Sequence, residues 1–141
     1  MPASLRFVLT MLACGAAVTP VTIYVQHCQG REQDRTTAAQ ITGGDVDRGK
    51  QAIIRYHCGA CHVIEGIGEA NGQVGPALDG IAHRVEIAGR LSNTPPNLIR
   101  WIRFPQSINR AGGMPNLGVS EREARDMAAY LYTLKVHWFA R

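Results

Sequence analysis

The residues best equipped for chemistry are Cys58, Cys61 and His62, in the run Arg55-Tyr56-His57-Cys58-Gly59-Ala60-Cys61-His62. Its last five residues spell C-x-x-C-H, the attachment pattern for c-type haem. Two thiols at that spacing can each add to one vinyl group of the porphyrin. The next residue, His62, then lies under the iron as its proximal ligand. The rest of the chain reads as scaffold for that site.

Three other uses of these residues compete. A zinc site would want a second ligand pair at finger-like spacing, whereas the remaining cysteines, Cys14 and Cys28, sit far upstream in an apolar segment. A thioredoxin-type pair would want a strand before the motif and a helix after it, and no βαβ alternation is visible. A plain disulfide leaves the adjacent histidine unexplained.

The elements that must position this motif are few. At 141 residues the chain suggests one domain plus an appendage. The part that looks globular, 43–135, is small enough that its own side chains would make only a thin core. A buried macrocycle would supply the missing apolar centre. With 15 glycines and few aromatic residues, the composition suits a loop-rich shell around a cofactor better than a sheet. From Gly43 onward there are 12 lysines and arginines against 9 acids, and two haem propionates would offset much of that excess. The basic residues are scattered rather than gathered on one helix, so no nucleic-acid partner is expected.

No Lys, Arg, Asp or Glu occurs from Phe7 to Gly30, and Arg6 stands on the N-terminal side of the apolar run. Residues 1–28 therefore read as a signal peptide or a membrane anchor. Three fates are open. Retained, the run is just long enough to span a bilayer; cleaved, Gly15-Ala16-Ala17 offers an A-x-A-like site; lipidated, Met11-Leu12-Ala13-Cys14 resembles a lipobox. All three export the domain to the periplasmic side of the cytoplasmic membrane, tethered in two cases and soluble if cleaved. Residues 29–42 are polar and aperiodic and read as a flexible linker, 43–135 as the domain, and 136–141 as a C-terminal tail.

Within the domain, Asp45 suits the N-cap of a helix running to about Tyr56. Gly49 and Ile53 fall on one face, and a mid-helix glycine invites close approach by a second helix. Ser120 with Glu123 forms a capping box for a last helix with Ala124, Met127, Tyr130, Leu131 and Leu134 as its apolar stripe. These two helices are expected to cross at Gly49. Thr94-Pro95-Pro96 opens a third helix with Leu98, Trp101 and Ile102 facing inward, ended by Pro105. Residues 66–76 and 108–118 are glycine- and proline-rich loops. There is no internal repeat.

The C-x-x-C-H motif, Gly75-Pro76-Ala77-Leu78-Asp79-Gly80, Gly113-Met114-Pro115 and Ala128-Ala129-Tyr130-Leu131, in this order, resemble a class I c-type cytochrome. The likeness covers nearly all of residues 44–134. Asn93-Thr94-Pro95, Leu98-Ile99-Arg100-Trp101-Ile102-Arg103 and Met114-Pro115-Asn116-Leu117-Gly118-Val119-Ser120 are similar to the cytochrome c domains found with, or fused to, subunit II of haem-copper oxidases.

The resemblance implies an all-α fold of three main helices and loops wrapped around one covalently attached haem c. It implies Cys58 and Cys61 as attachment points and His62 and Met114 as axial ligands. The Pro76 carbonyl would hold the second ring nitrogen of His62, Leu78 would pack on the proximal face, Arg84 would meet a propionate, and Trp101 would line the distal side. His83 is the competing axial ligand, while His57 reads as a solvent-facing neighbour and His27 and His137 flank the domain. Pro96 departs from the pattern where a glutamate would complete a capping box.

With both axial positions filled, the implied role is one-electron transfer in a respiratory chain rather than enzymatic turnover. The expected partners are a quinol-oxidising complex and a terminal oxidase. The alternative is the haem subunit of an exported dehydrogenase, and a haem peroxidase or sensor would need an open distal position.

Overall fold

The computed structural model describes residues 3–135, without the side chains of Ala13 and Cys14. The lipidation route through the Cys14 side chain, and the 136–141 tail with His137, fall outside the described residues. The chain divides into two units, 1–33 and 34–141.

The first unit is helical. Helix α1 (Ala3–Thr42) contains the apolar run, which is long and apolar enough to cross a membrane by length and composition. Phe7, Leu12, Val21 and Tyr24 are all exposed along it. The hydroxyls of Thr10, Thr19 and Thr22 donate back to the carbonyls of Phe7, Gly15 and Val18, so these polar groups are satisfied within the helix itself.

Where a flexible linker is expected over 29–42, α1 continues unbroken to Thr42. No glycine or proline interrupts Arg31 to Thr42, and the last turns acquire packing of their own. Ala38 and Thr42 are buried, and Lys135 and Arg35 make ion pairs, with Asp34 and Asp47 respectively. The second unit thus begins at Asp34, ahead of the expected boundary at Gly43.

Helix α2 (Val46–Arg55) starts at Asp45, whose carboxylate accepts the Arg48 N–H at 2.8 Å. Helix α3 (Pro95–Arg103) buries Leu98 and Ile102 and keeps Trp101 half-buried. Thr94 occupies its N-cap position, but its hydroxyl makes no capping bond; Pro95 and Pro96 supply the first turn and have no N–H to satisfy. Pro105 ends α3 and begins a single further turn, α4 (Pro105–Ile108). Helix α5 (Glu121–Thr133) carries both halves of the capping box between Ser120 and Glu123.

The packing centre is the crossing of α2 and α5. Asp126, 3% exposed, accepts from the Asp45 N–H at 2.7 Å and from the Arg48 Nε and Nη2 at 3.0 and 3.2 Å. Around it Ala52, Ile53, Ala124, Met127 and Ala128 form the buried seam, which joins Ile64, Leu98 and Leu131 in one apolar cluster.

The only strands among the described residues are a two-residue antiparallel pair, β1 (Glu86–Ile87) with β2 (Leu91–Ser92), Ile87 opposite Leu91. Its turn holds Ala88 and Gly89 at positive φ. The architecture is otherwise all helix and loop. Asn93 joins the parts: its side-chain amide donates to Ile81 and Arg84 carbonyls, and its oxygen accepts from the Tyr132 hydroxyl at 2.8 Å. Burial pushes the Tyr132 hydroxyl up to about 12.

Candidate cofactor site

The site begins where α2 stops. Tyr56 caps the helix, and His57 takes a left-handed backbone, φ 55 and ψ 35, a position usually given to glycine or asparagine. The reversal turns the chain into a short helical turn at Cys58–Ala60, followed by Cys61 and His62. His57 is solvent-facing as expected, but its backbone does the turning. Nothing in its side-chain type signals this.

The following loop is stitched back onto the motif by main-chain bonds. Gly72 N–H reaches the Gly59 carbonyl at 3.0 Å, Gly75 N–H reaches Cys61 at 2.7 Å, and Leu78 N–H reaches Val63 at 2.8 Å. The Tyr130 hydroxyl of α5 donates to the Glu65 carbonyl at 2.7 Å, anchoring the same loop to the core.

These bonds bring Pro76 to His62. The carbonyl can only accept, so His62 Nδ1 donates to Pro76 O at 2.7 Å and the ring is held in the tautomer that leaves Nε2 without a proton. Gly75 lies against the same ring. A Cβ there would collide with the Cε1 atom of His62, so only glycine lets the loop pass this close. Gly75 stands beside Pro76 in the same run, but nothing in the sequence shows that it makes room for the ring.

Cys58 and Cys61 are half-buried free thiols. Burial pushes the Cys58 thiol up, so it is held neutral. Among the described residues no three His, Cys, Asp or Glu side chains converge to hold a bare metal ion. The donor set is instead two separated thiols with one imidazole whose free nitrogen faces away from its backbone clamp. That set fits a porphyrin bound through its periphery and its iron.

The remaining predicted residues lie on surrounding segments. Leu78 and Trp101 are half-buried and pack against the core cluster. Met114 is half-buried in the 109–120 loop, which Gln106 holds by donating from Nε2 to the Gly112 and Met114 carbonyls at 2.8 and 2.6 Å. Gln106 belongs to no motif in the sequence; its position just after Pro105 is the only hint. His83 is exposed at the end of the short Ile81–His83 turn. Arg84 Nη2 donates to the Ala77 and Asp79 carbonyls, the latter at 3.2 Å, and the Asp79 carboxylate in turn accepts the Glu65 N–H at 2.6 Å. Arg84 therefore clasps the loop that carries Pro76.

A family model for cytochrome c matches residues 46–135. Two curated relatives are each described as cytochrome c oxidase subunit 2. The protein from Alkalihalophilus pseudofirmus is 38% identical over 92 residues, covering 64% of this chain and 26% of its own length. The protein from Bacillus sp. (strain PS3) is 29% identical over 90 residues, covering 61% of this chain and 25% of its own length. The chain thus spans about a quarter of the relatives it matches. No solved structure matches it significantly.

Proposed function

The chain belongs to the cytochrome c family, and from that premise we propose that it carries one electron at a time to a terminal oxidase in a respiratory chain. Haem c, the family's covalently attached cofactor, supplies a reversible Fe(III)/Fe(II) couple. Cys58 and Cys61 would hold it by two thioether bonds. His62 would hold the iron through Nε2 and Met114 through its thioether, a soft donor that would favour the reduced state. Leu78 and Trp101 exclude water beside it, and Arg84 keeps two N–H-bearing nitrogens for a propionate while its Nη2 holds the Ala77 and Asp79 carbonyls.

The observation that supports this reading most directly is the hydrogen bond from His62 Nδ1 to Pro76 O. A ring clamped at one nitrogen presents the other in a fixed direction, which suits a ligand that should move little between oxidation states. With the iron held by two side chains, no position would be left for a substrate. The protein then acts as a carrier, not as an oxidase or peroxidase by itself. The description of both relatives as oxidase subunits favours a terminal oxidase as acceptor over a dehydrogenase partner.

The apolar part of α1 serves as the tether in this proposal, holding the domain at the outer face of the cytoplasmic membrane. The deciding measurement is the optical spectrum of the full-length, haem-loaded protein. A low-spin ferric spectrum that resists cyanide and carbon monoxide supports the carrier. A high-spin spectrum with prompt ligand binding defeats it. Co-purification with an oxidase, rather than with a dehydrogenase, tests the partner.

A further inference from the structure

The end of α1, α3 and the start of α5 line an open hollow of about 270 Å³. Its lining is of two kinds. Ile41, Pro96, Ile99 and Phe104 present hydrocarbon, and Ile41 and Phe104 are about half exposed. Arg100, Arg103 and Arg125 bring three guanidinium groups against a single carboxylate, Glu121.

That carboxylate is already shared. Its oxygens accept from Arg125 Nη2 at 2.7 Å and from Arg103 Nη1 at 3.2 Å, and the two cations hold it below the usual carboxylate range. Arg103 also stacks on the Phe104 ring at 4.7 Å, yet its Nε is buried without any acceptor. Arg100 is exposed, and its guanidinium forms no hydrogen bond or ion pair among the described residues. The hollow therefore carries three guanidinium groups to one carboxylate, with the Arg100 guanidinium the one left open to an incoming anion, beside an apolar wall.

We propose that this hollow binds a carboxylate carried on a compact apolar body. The planar fork of a guanidinium matches a carboxylate in two-point contact. A bare inorganic phosphate would use the charge but leave Ile41, Ile99 and Phe104 against water. A neutral hydrocarbon would use the wall but leave the donors unpaired. The volume lies just under the usual range for small-ligand pockets, so the occupant is a small acid or a single acidic side chain with its apolar neighbours. The proposal does not rest on the electron-carrier reading, since none of these residues belongs to the cofactor site.

The test uses the haem-loaded full chain in nanodiscs, titrated with cyclohexanecarboxylate, cyclohexanecarboxamide and inorganic phosphate while amide signals of α3 and α5 are followed by NMR. The carboxylate should saturate, and the carboxamide and phosphate should bind at least about tenfold more weakly. Arg100→Gln should weaken the carboxylate by about tenfold while leaving the melting temperature and the haem spectrum unchanged, because Arg100 has no partner to lose. A capped Leu-Glu-Leu peptide identifies the source. Binding as tight as the free acid's points to a protein carboxylate, and weaker binding points to a small acid. The proposal is overturned if the carboxylate fails to saturate by roughly 10 mM, if carboxamide or phosphate binds equally well, or if Arg100→Gln changes nothing.

Discussion

Gly49 of α2 lies directly against the main-chain carbonyl of Asp126 in α5, so closely that a Cβ at this position would overlap the carbonyl oxygen. The contact is backbone to backbone and cannot be relieved by rotating a side chain. Gly49→Ala should therefore destabilise the domain by about 3 kcal/mol, even though alanine is the better helix former. Chemical denaturation of the haem-loaded protein measures it, and an unchanged midpoint would mean the helices separate freely here.

Acid should weaken the opposite end of the same crossing. The Ser120 hydroxyl bonds to the Glu123 carboxylate at 2.6 Å, with Arg55 and Tyr56 adding bonds at 2.7 and 3.0 Å, and together they hold the Glu123 carboxyl down at about 2. A carboxyl depressed in the folded state contributes stability that is complete above its ordinary value of 4.5 and lost as pH falls towards 2. Glu123→Gln should flatten that part of the stability-against-pH curve. An identical acid limb in wild type and variant would assign the loss to other carboxylates.

Cys58→Ser and Cys61→Ser together should abolish haem that survives denaturing electrophoresis, while either alone should leave one linkage at reduced yield. In-gel haem staining after export through intact attachment machinery reads this out. A stained band of normal intensity from the double variant would contradict attachment at these sulfurs.

Met114→Ala should lower the midpoint potential and let cyanide or imidazole coordinate the iron without delay. Gln106 continues to hold the main chain of the loop through the Gly112 and Met114 carbonyls in that variant, so the loop itself is expected to stay in place. A spectrum indistinguishable from wild type would transfer the ligand role to another residue, with His83 the first to test.

Arg84→Gln should loosen the clasp on the Ala77 and Asp79 carbonyls and cost about 1.5–3 kcal/mol, the range for hydrogen bonds made by a charged group. Arg84→Lys should recover only part of this, since a lysine lacks the spread of donors. Thermal melting compares the three forms. Equal stability would mean that the loop is held by its main-chain bonds and the Asp79–Glu65 contact alone.

Much of this protein is legible from its residues in order. The C-x-x-C-H spacing names the chemistry because the bond-forming groups are covalent neighbours. The caps at Asp45 and Ser120 announce their helices because N-capping is a local competition for a few N–H groups. The crossing at Gly49 is readable because a mid-helix glycine is costly without a reason.

Only the folded chain decided the rest. That α1 runs to Thr42 depends on Ala38 and Thr42 finding burial and on Asp34 and Arg35 finding Lys135 and Asp47, partners distant in sequence or on another element. Arg84 reaches loop carbonyls, Gly75 makes room for the His62 ring, and His57 takes a left-handed turn. A sequence determines what can happen within a turn or two of each residue. Which carbonyl meets which donor across the domain is set by packing, and that is where this site acquires its geometry.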